Sequence, residues 1–239
     1  MKAIARKFFD RLMLVRGDVH RRDRAGALNR AWGHVFTNHL VGDYVEFGVY
    51  HGDSFIQSHK QYRQFREWLR QQTTSPEPWR RQLAVEFIGP VAHFHGLDTF
   101  AGMPENAEGE RTFATGTFKS DIDAVRRRCA AEFTAEAGFS LHQGRFADTP
   151  DDWAAPEAKA AIINIDGDLY ESCVDALAMS QRLMQVGTVL MMDDYNAFSA
   201  DNAKGERRAL REFIGKTGFT IEPWFSYMYS GQAFLIVSK

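Results

Sequence analysis

The sequence predicts an α/β protein: a Rossmann-like, seven-stranded, mostly parallel sheet with an antiparallel last strand, helices on both faces and extra N-terminal helices. Three observations predict it. Short apolar runs of strand length alternate with segments whose apolar residues recur at helical spacing. The first of these runs leads into a glycine turn and a helix start. The last two runs flank a turn near Ser230-Gly231, which implies a terminal hairpin and so one reversed strand.

Taken in order, residues 1–40 read as helical, with Phe8, Phe9, Leu12 and Val15 at helix spacing, then Leu28, Trp32, Val35, Phe36 and Leu40. Asp43 to Ser54 is a short strand, a glycine turn and a helix start, for which Asp53 and Ser54 are candidate N-caps. That helix continues through Phe55, Tyr62, Phe65 and Leu69 and stops before Pro76. Residues 71–82 carry Thr73, Thr74, Pro76 and Pro78 and read as a surface loop. Val91 to Asp98 is the second strand. Ala101 to Gly116, rich in glycine and glutamate, reads as a long mobile loop. A helix over Asp121–Phe133 and strands at Phe139–Gln143 and Ala161–Ile165 follow. Tyr170–Met184 is a helix with Cys173, Leu177, Ser180 and Met184 on one face. Thr188–Met192 is the fifth strand. Gly205–Lys216 is a helix with Ala209, Leu210 and Phe213 inward, and Phe219–Trp224 and Ala233–Val237 form the terminal pair.

A length of 239 residues with 44% hydrophobic content suffices for one sizeable core and is short for two full domains. A single domain is expected, with residues 1–40 as a helical segment and 41–239 as the core. A formal charge of −2 gives no reason to expect a nucleic-acid partner. The basic stretch Arg16 to Arg24 is interrupted by aspartates and reads as solvated surface. Cys129 and Cys173 fit no metal spacing and form no disulfide framework, so a reducing, cytoplasmic setting is the default. No apolar run approaches the ~20 residues that span a bilayer, and no membrane partner is expected. A homodimer is left open.

The chemistry concentrates at two places. Ala160 to Ile165 and Val189 to Met192 each end in paired carboxylates, Asp166 with Asp168 and Asp193 with Asp194. Carboxyl ends of parallel strands line the ligand crevice of such folds. Four acids there repel one another unless a cation or protons intervene. Residues i and i+2 of an extended chain share a side, so Asp166 and Asp168 would face one pocket if extended geometry persists; Asp193 and Asp194 need a turn. Oxygen-only ligands suit a hard cation such as Mg²⁺. Three carboxylates for the metal and one as base would activate a hydroxyl. The bland alternative makes some of these acids turn or cap residues, Asp168 above all, just before the helix at Tyr170.

The second place is the glycine turn, where Glu46, Gly48 and Gly52 give Glu-x-Gly-x-x-x-Gly. A dinucleotide site needs Gly-x-Gly-x-x-Gly, and Tyr50 stands where the second glycine must let backbone approach a pyrophosphate. A ligand without a pyrophosphate is favoured. S-adenosylmethionine (SAM) is one, and its ammonium group could meet Glu46. Asp98, ending the second strand, is placed to accept ribose hydroxyls, although it lies about fifty residues beyond the turn rather than the usual ~20.

These pieces together resemble the macrocin O-methyltransferase family of SAM- and Mg²⁺-dependent bacterial sugar O-methyltransferases. The matching stretches are Val45 to Ser54, Leu97 to Pro104, Gly144 to Thr149, Ile165 to Ser172 and Met192 to Tyr195, with a weaker match at Gly205, Ala209 and Phe213. The resemblance implies a class I methyltransferase fold with a SAM-binding core at 41–239. It implies that Asp166, Asp193 and Asp194 bind Mg²⁺ and that Asp168 is the general base. It places Glu46 and Gly48 at the methionine end of SAM, Asp98 and Thr99 at the ribose, and Ser120 and Asp148 near the adenine. Tyr50, Ser54 and Asp166 complete the expected cofactor contacts. His51 stands where relatives carry a basic residue, and residues 56–90 are longer than the family pattern.

His93, His95 and His142 read as core or edge histidines. Trp224, Phe225, Tyr227 and Tyr229 read as packing or as a wall for an acceptor, and Phe100, Met103 and Phe113 as loop anchors or a lid over the cofactor. The expected function is SAM- and Mg²⁺-dependent methylation of a sugar hydroxyl on a glycoside natural product or polysaccharide. The alternatives are a phenol or catechol acceptor, or a methyltransferase-like binding subunit without turnover.

Overall fold

The computed structural model describes residues 22–106, 113–134 and 137–239. The helical spacing at Phe8, Phe9, Leu12 and Val15 lies outside the described residues. Helix α1 covers 22–37, followed by β1 (Asp43–Phe47), α2 (Asp53–Gln72), α3 (Pro78–Ile88), β2 (Phe94–Asp98), α4 (Ile122–Glu132), β3 (Phe139–Gln143), β4 (Ala160–Ile165), α5 (Tyr170–Ser180), β5 (Val189–Met192), α6 (Gly205–Thr217), β6 (Thr220–Tyr227) and β7 (Gly231–Ser238).

The sheet runs β3-β2-β1-β4-β5-β7-β6. Strands β1 to β5 pair in parallel, and β7 runs antiparallel to both of its neighbours. The order reverses direction between β1 and β4, so the chain leaves that point toward opposite edges. A crevice opens there because the connections on its two sides diverge. One face of the sheet is covered by α1, α2 and α4, the other by α5 and α6, each through its own apolar cluster. Trp32 centres the first cluster. Its ring lies 4.8 Å from Tyr62 and 5.8 Å from Phe94, and its indole N–H donates to Ser58 Oγ at 2.9 Å, so the polar edge is satisfied within the core.

Several boundaries differ from the sequence expectation for identifiable reasons. Gly52, at φ 82°, is the N-cap residue of α2, and no side chain caps that end. Asp53 is already helical, and Ser54 turns inward to Glu46. The expected surface loop over 71–82 is cut short because Pro78 starts α3, where a missing N–H costs nothing. Helix α5 gives way at Gln181–Leu183 to a 3₁₀ turn before Met184. Strand β6 continues through Pro223 to Tyr227, which its place on the sheet edge permits. Among the described residues no helix is long and apolar enough to cross a membrane.

Candidate active site

The ends of β1, β4 and β5 are brought level by three backbone bonds. Gly48 N donates to Leu97 O at 2.9 Å, Asp166 N to Phe47 O at 2.8 Å and Asp193 N to Ile165 O at 2.9 Å. The first residue after each strand is thus held against the end of the neighbouring strand, and Gly48, Asp166 and Asp193 sit side by side. Contact at Gly48 is very close: with φ at +93°, an added Cβ would fall 1.9 Å from Asp166 O.

Extended geometry ends at Asp166. The chain turns at once, with Leu169 N on Gly167 O at 2.6 Å and Asp168 at φ 58°. This left-handed turn, which aspartate tolerates better than most residues, aims Asp168 instead of strand alternation. Asp168 does not cap α5, whose N-cap residue is Leu169 and has no side-chain cap. Beyond β5, Asp194 is fixed from two sides. Its N–H donates to Glu206 Oε2 at 3.1 Å, and its Oδ1 accepts from Ser230 Oγ at 3.1 Å.

Asp166, Asp168 and Asp194 each offer a carboxylate oxygen to one point, all within 4.8 Å of one another. Asp193 is not in that group. It accepts a hydrogen bond from Arg24 Nη2, and the same nitrogen lies 3.2 Å from Asp166 Oδ2. The expected ligand trio of Asp166, Asp193 and Asp194 is therefore not the one whose oxygens converge; Asp168 joins Asp166 and Asp194 there, and Asp193 is paired with Arg24. The reading of Arg16 to Arg24 as solvated surface fails at Arg24, which α1 carries inward; residues 16–21 lie outside the described residues.

Electrostatics here are those of crowded acids. Burial, followed by the charge of Asp193, pushes the Asp166 carboxyl well above the usual range. Burial, a hydrogen bond shared with Asp194 and the charge of Asp166 do the same to Asp168. Asp193 is pushed up to about 6 by burial, with Arg24 acting against the rise. Burial opposes the charge on Arg24, but Asp193 and Asp166 more than offset it. Without a cation, such a group is relieved by retaining protons.

A cavity of about 550 Å³ opens beside the acids. It is lined by Gly48, Tyr50, Asp98 and Thr99, by Asp166, Asp168, Asp193 and Asp194, and by the apolar Met103, Phe113 and Phe118. Asp98 accepts from Tyr50 N and Phe100 N, each at 2.7 Å, which pins its carboxylate at the turn. Glu46 and Ser54 do not line the cavity. Glu46 is buried beneath the turn, accepts from Ser54 Oγ at 2.6 Å and from Tyr44 Oη, and is pushed up to about 7, chiefly by burial. Ser120 and Asp148 are also off the cavity wall. Ser120 Oγ donates to Tyr50 O at 2.7 Å and so supports the turn from behind. The His51 ring lies tilted against Tyr50, centroids 3.8 Å apart, without lining the cavity. Phe100 is core, whereas Met103 and Phe113 reach the cavity. His93, His95 and His142 gather near Trp153, and Trp224, Phe225 and Tyr227 pack among themselves and against α1; none lines the cavity.

Sequence reasoning missed Arg24, Glu206 and Ser230. Glu206 carried a signal. It shares a helix face with Leu210 and Phe213, four and seven residues on, and a charged residue on an inward face demands a partner.

The macrocin-O-methyltransferase (TylF) family pattern matches residues 91–221, more than half of the chain. The 8-demethyl-8-(2,3-dimethoxy-alpha-L-rhamnosyl)-tetracenomycin-C 4'-O-methyltransferase of Streptomyces olivaceus is 25% identical over 202 residues, 78% of this chain. The chain spans 63% of that relative's length. The O-methyltransferase NovP superimposes with a TM-score of 0.64 at 21% identity, covering 91% of this chain and 80% of its own. CalS11, a calicheamicin methyltransferase, gives 0.59 at 18% identity, covering 89% and 77%. At these identities the two structures show a shared fold, that of the class I methyltransferases.

Proposed function

The chain belongs to the macrocin-O-methyltransferase family, and on that premise we propose that it is a SAM- and Mg²⁺-dependent enzyme that methylates a sugar hydroxyl of a glycoside natural product or polysaccharide. One observation carries the reading: three carboxylates from the ends of β4 and β5 converge beside a cavity that the glycine turn and Asp98 also line. A dinucleotide would need its pyrophosphate against the turn, where Tyr50 stands. The relative from Streptomyces olivaceus acts on a rhamnosyl group, which favours a sugar acceptor.

The donor set fits a hard cation, because it is all oxygen, mutually repelling and confined. Of the converging acids, Asp166 and Asp194 are proposed to hold the metal, joined by Asp193 once Arg24 gives it up, with Asp168 as base. A divalent ion supplies Lewis acidity, lowering the pKa of a hydroxyl presented to it. SAM supplies an electrophilic methyl group. The chain's own contribution is placement and proton handling. Asp98 and Thr99 offer acceptors for ribose hydroxyls, and the Gly48 turn leaves room for the methionyl end. Ser230 and Glu206 fix Asp194, so it cannot swing away. Asp168, held by its turn in the cavity lining, accepts the hydroxyl proton at a carboxylate oxygen. Met103, Phe113 and Phe118 give the cavity an apolar lining that would keep water from the methyl path.

The test is a pair of measurements on the purified protein. S-adenosylhomocysteine, but not NAD, should raise the melting temperature, and radiolabelled methyl should pass from SAM to glycosides in preference to catechols. Absence of S-adenosylhomocysteine binding would reject the reading; transfer to catechols alone would reject the sugar acceptor.

A further inference from the structure

Arg24 belongs to no expected part of the site, yet it reaches the centre of it. It sits at the start of α1 with 21% of its side chain exposed, and Nη2 bridges Asp193 and Asp166. Among the described residues its Nε is buried without a hydrogen-bond partner, and Asp193 and Asp166 are its ion-pair partners. The neighbouring residue anchors the same turn: Asp23 Oδ2 accepts from Met228 N, where β6 leads into the turn before β7. The first turn of α1 is thus latched to the site through adjacent side chains.

We propose that Arg24 sets the metal affinity of the site, because its guanidinium and a divalent cation are alternative partners of Asp166 and Asp193. The inference rests on the metal site proposed above. Asp166 Oδ2 and Asp193 Oδ2 both face Nη2. Asp193 is absent from the converging group and is paired with Arg24 instead. Two cations a few ångströms apart repel strongly in a partly buried site. Metal capture by Asp193 therefore requires Arg24 to withdraw, and part of the metal's binding free energy goes into breaking its ion pairs. A cation that binds only the Arg24-released state is weakened by the population of the latched state. Arg24 is accordingly a positioning residue: it touches the ligands of the metal, not the reacting atoms.

The experiment is a Mn²⁺ titration of the full chain, read by the paramagnetic resonance of free Mn²⁺, which needs no turnover. Arg24→Met should bind Mn²⁺ about tenfold tighter or more, and Arg24→Lys, which keeps the charge, should stay closer to the parent. A merely structural role predicts the opposite, since a damaged site binds metal more weakly. Should Arg24→Met fail to fold, Arg24→Gln removes the charge while retaining polar contacts, and the same tightening is expected. Unchanged or weaker Mn²⁺ binding in a folded, uncharged variant overturns the inference and leaves the proposed function standing. No Mn²⁺ binding in either parent or variant overturns both this inference and the metal site on which it rests.

Discussion

Gly48→Ala tests the closest packing in the site. Two costs are separable. Placing alanine at φ +93° costs about 1–2 kcal/mol from the Cβ alone. The new methyl would then fall 1.9 Å from Asp166 O and 2.7 Å from its carbonyl carbon, both backbone atoms that cannot rotate away. Relief requires the turn and the end of β4 to separate by about an ångström, an overpacking strain of roughly 1–3 kcal/mol. The total is about 2–5 kcal/mol. For a chain of this size each kcal/mol lowers the melting temperature by about 2–4 °C, so a fall of roughly 4–20 °C is expected. Gly218→Ala is the control. Its φ is +73°, but nothing lies within 4 Å of the added Cβ, so only the first cost applies. Scanning calorimetry on both variants reads the difference. Because the displaced atom is the backbone of Asp166, Gly48→Ala should also weaken S-adenosylhomocysteine binding, measured by titration calorimetry, while Gly218→Ala should not. Equal melting temperatures in the two variants, with cofactor affinity intact, would refute the argument that the turn is wedged against β4.

Asp168→Asn should retain S-adenosylhomocysteine binding and lose turnover by about 10²-fold or more, as loss of a general base does; full activity would remove Asp168 from that role. Trp32→Ala removes a fully buried ring and its hydrogen bond to Ser58, so it should cost about 3–5 kcal/mol in urea unfolding, and a loss under about 1 kcal/mol would contradict the packing described for α1. Glu46 gives a pH dependence. Its carboxyl is raised by burial from 4.5 to about 7, so between those values the native state keeps a proton that the unfolded chain has released. Stability should therefore fall as pH rises through that window, by up to about 3 kcal/mol, and level off above it. Glu46→Gln should flatten that part of the profile; an unaltered slope would assign the dependence to other groups.

The acid doublets, the glycine turn and Asp98 were legible because each follows an apolar run, and in a parallel sheet the residue after a strand must lie at the crevice. Their local order carries that information. The orientations within the doublets were less legible. Asp168 is aimed by its own left-handed backbone, not by the i, i+2 alternation that pointed to it, and Asp193 is paired with a residue far away in the chain. Ser54 and Ser120 were expected at the cofactor, yet they support the turn from behind, at Glu46 and Tyr50 O. No sequence pattern separates touching a ligand from bracing the residue that touches it.

By itself the sequence determined the strand–helix alternation, the reversed final strand and the set of acids at the strand ends, since periodicity and turn chemistry act between near neighbours. Only the tertiary structure decided which oxygens converge, that Glu46 lies beneath the cavity instead of on its wall, and that Arg24 and Glu206 enter the acidic centre. Those outcomes depend on elements far apart in the chain meeting across a buried, poorly screened space. There a carboxylate pairs with a single charge, and nothing in local spacing encodes which charge it will meet.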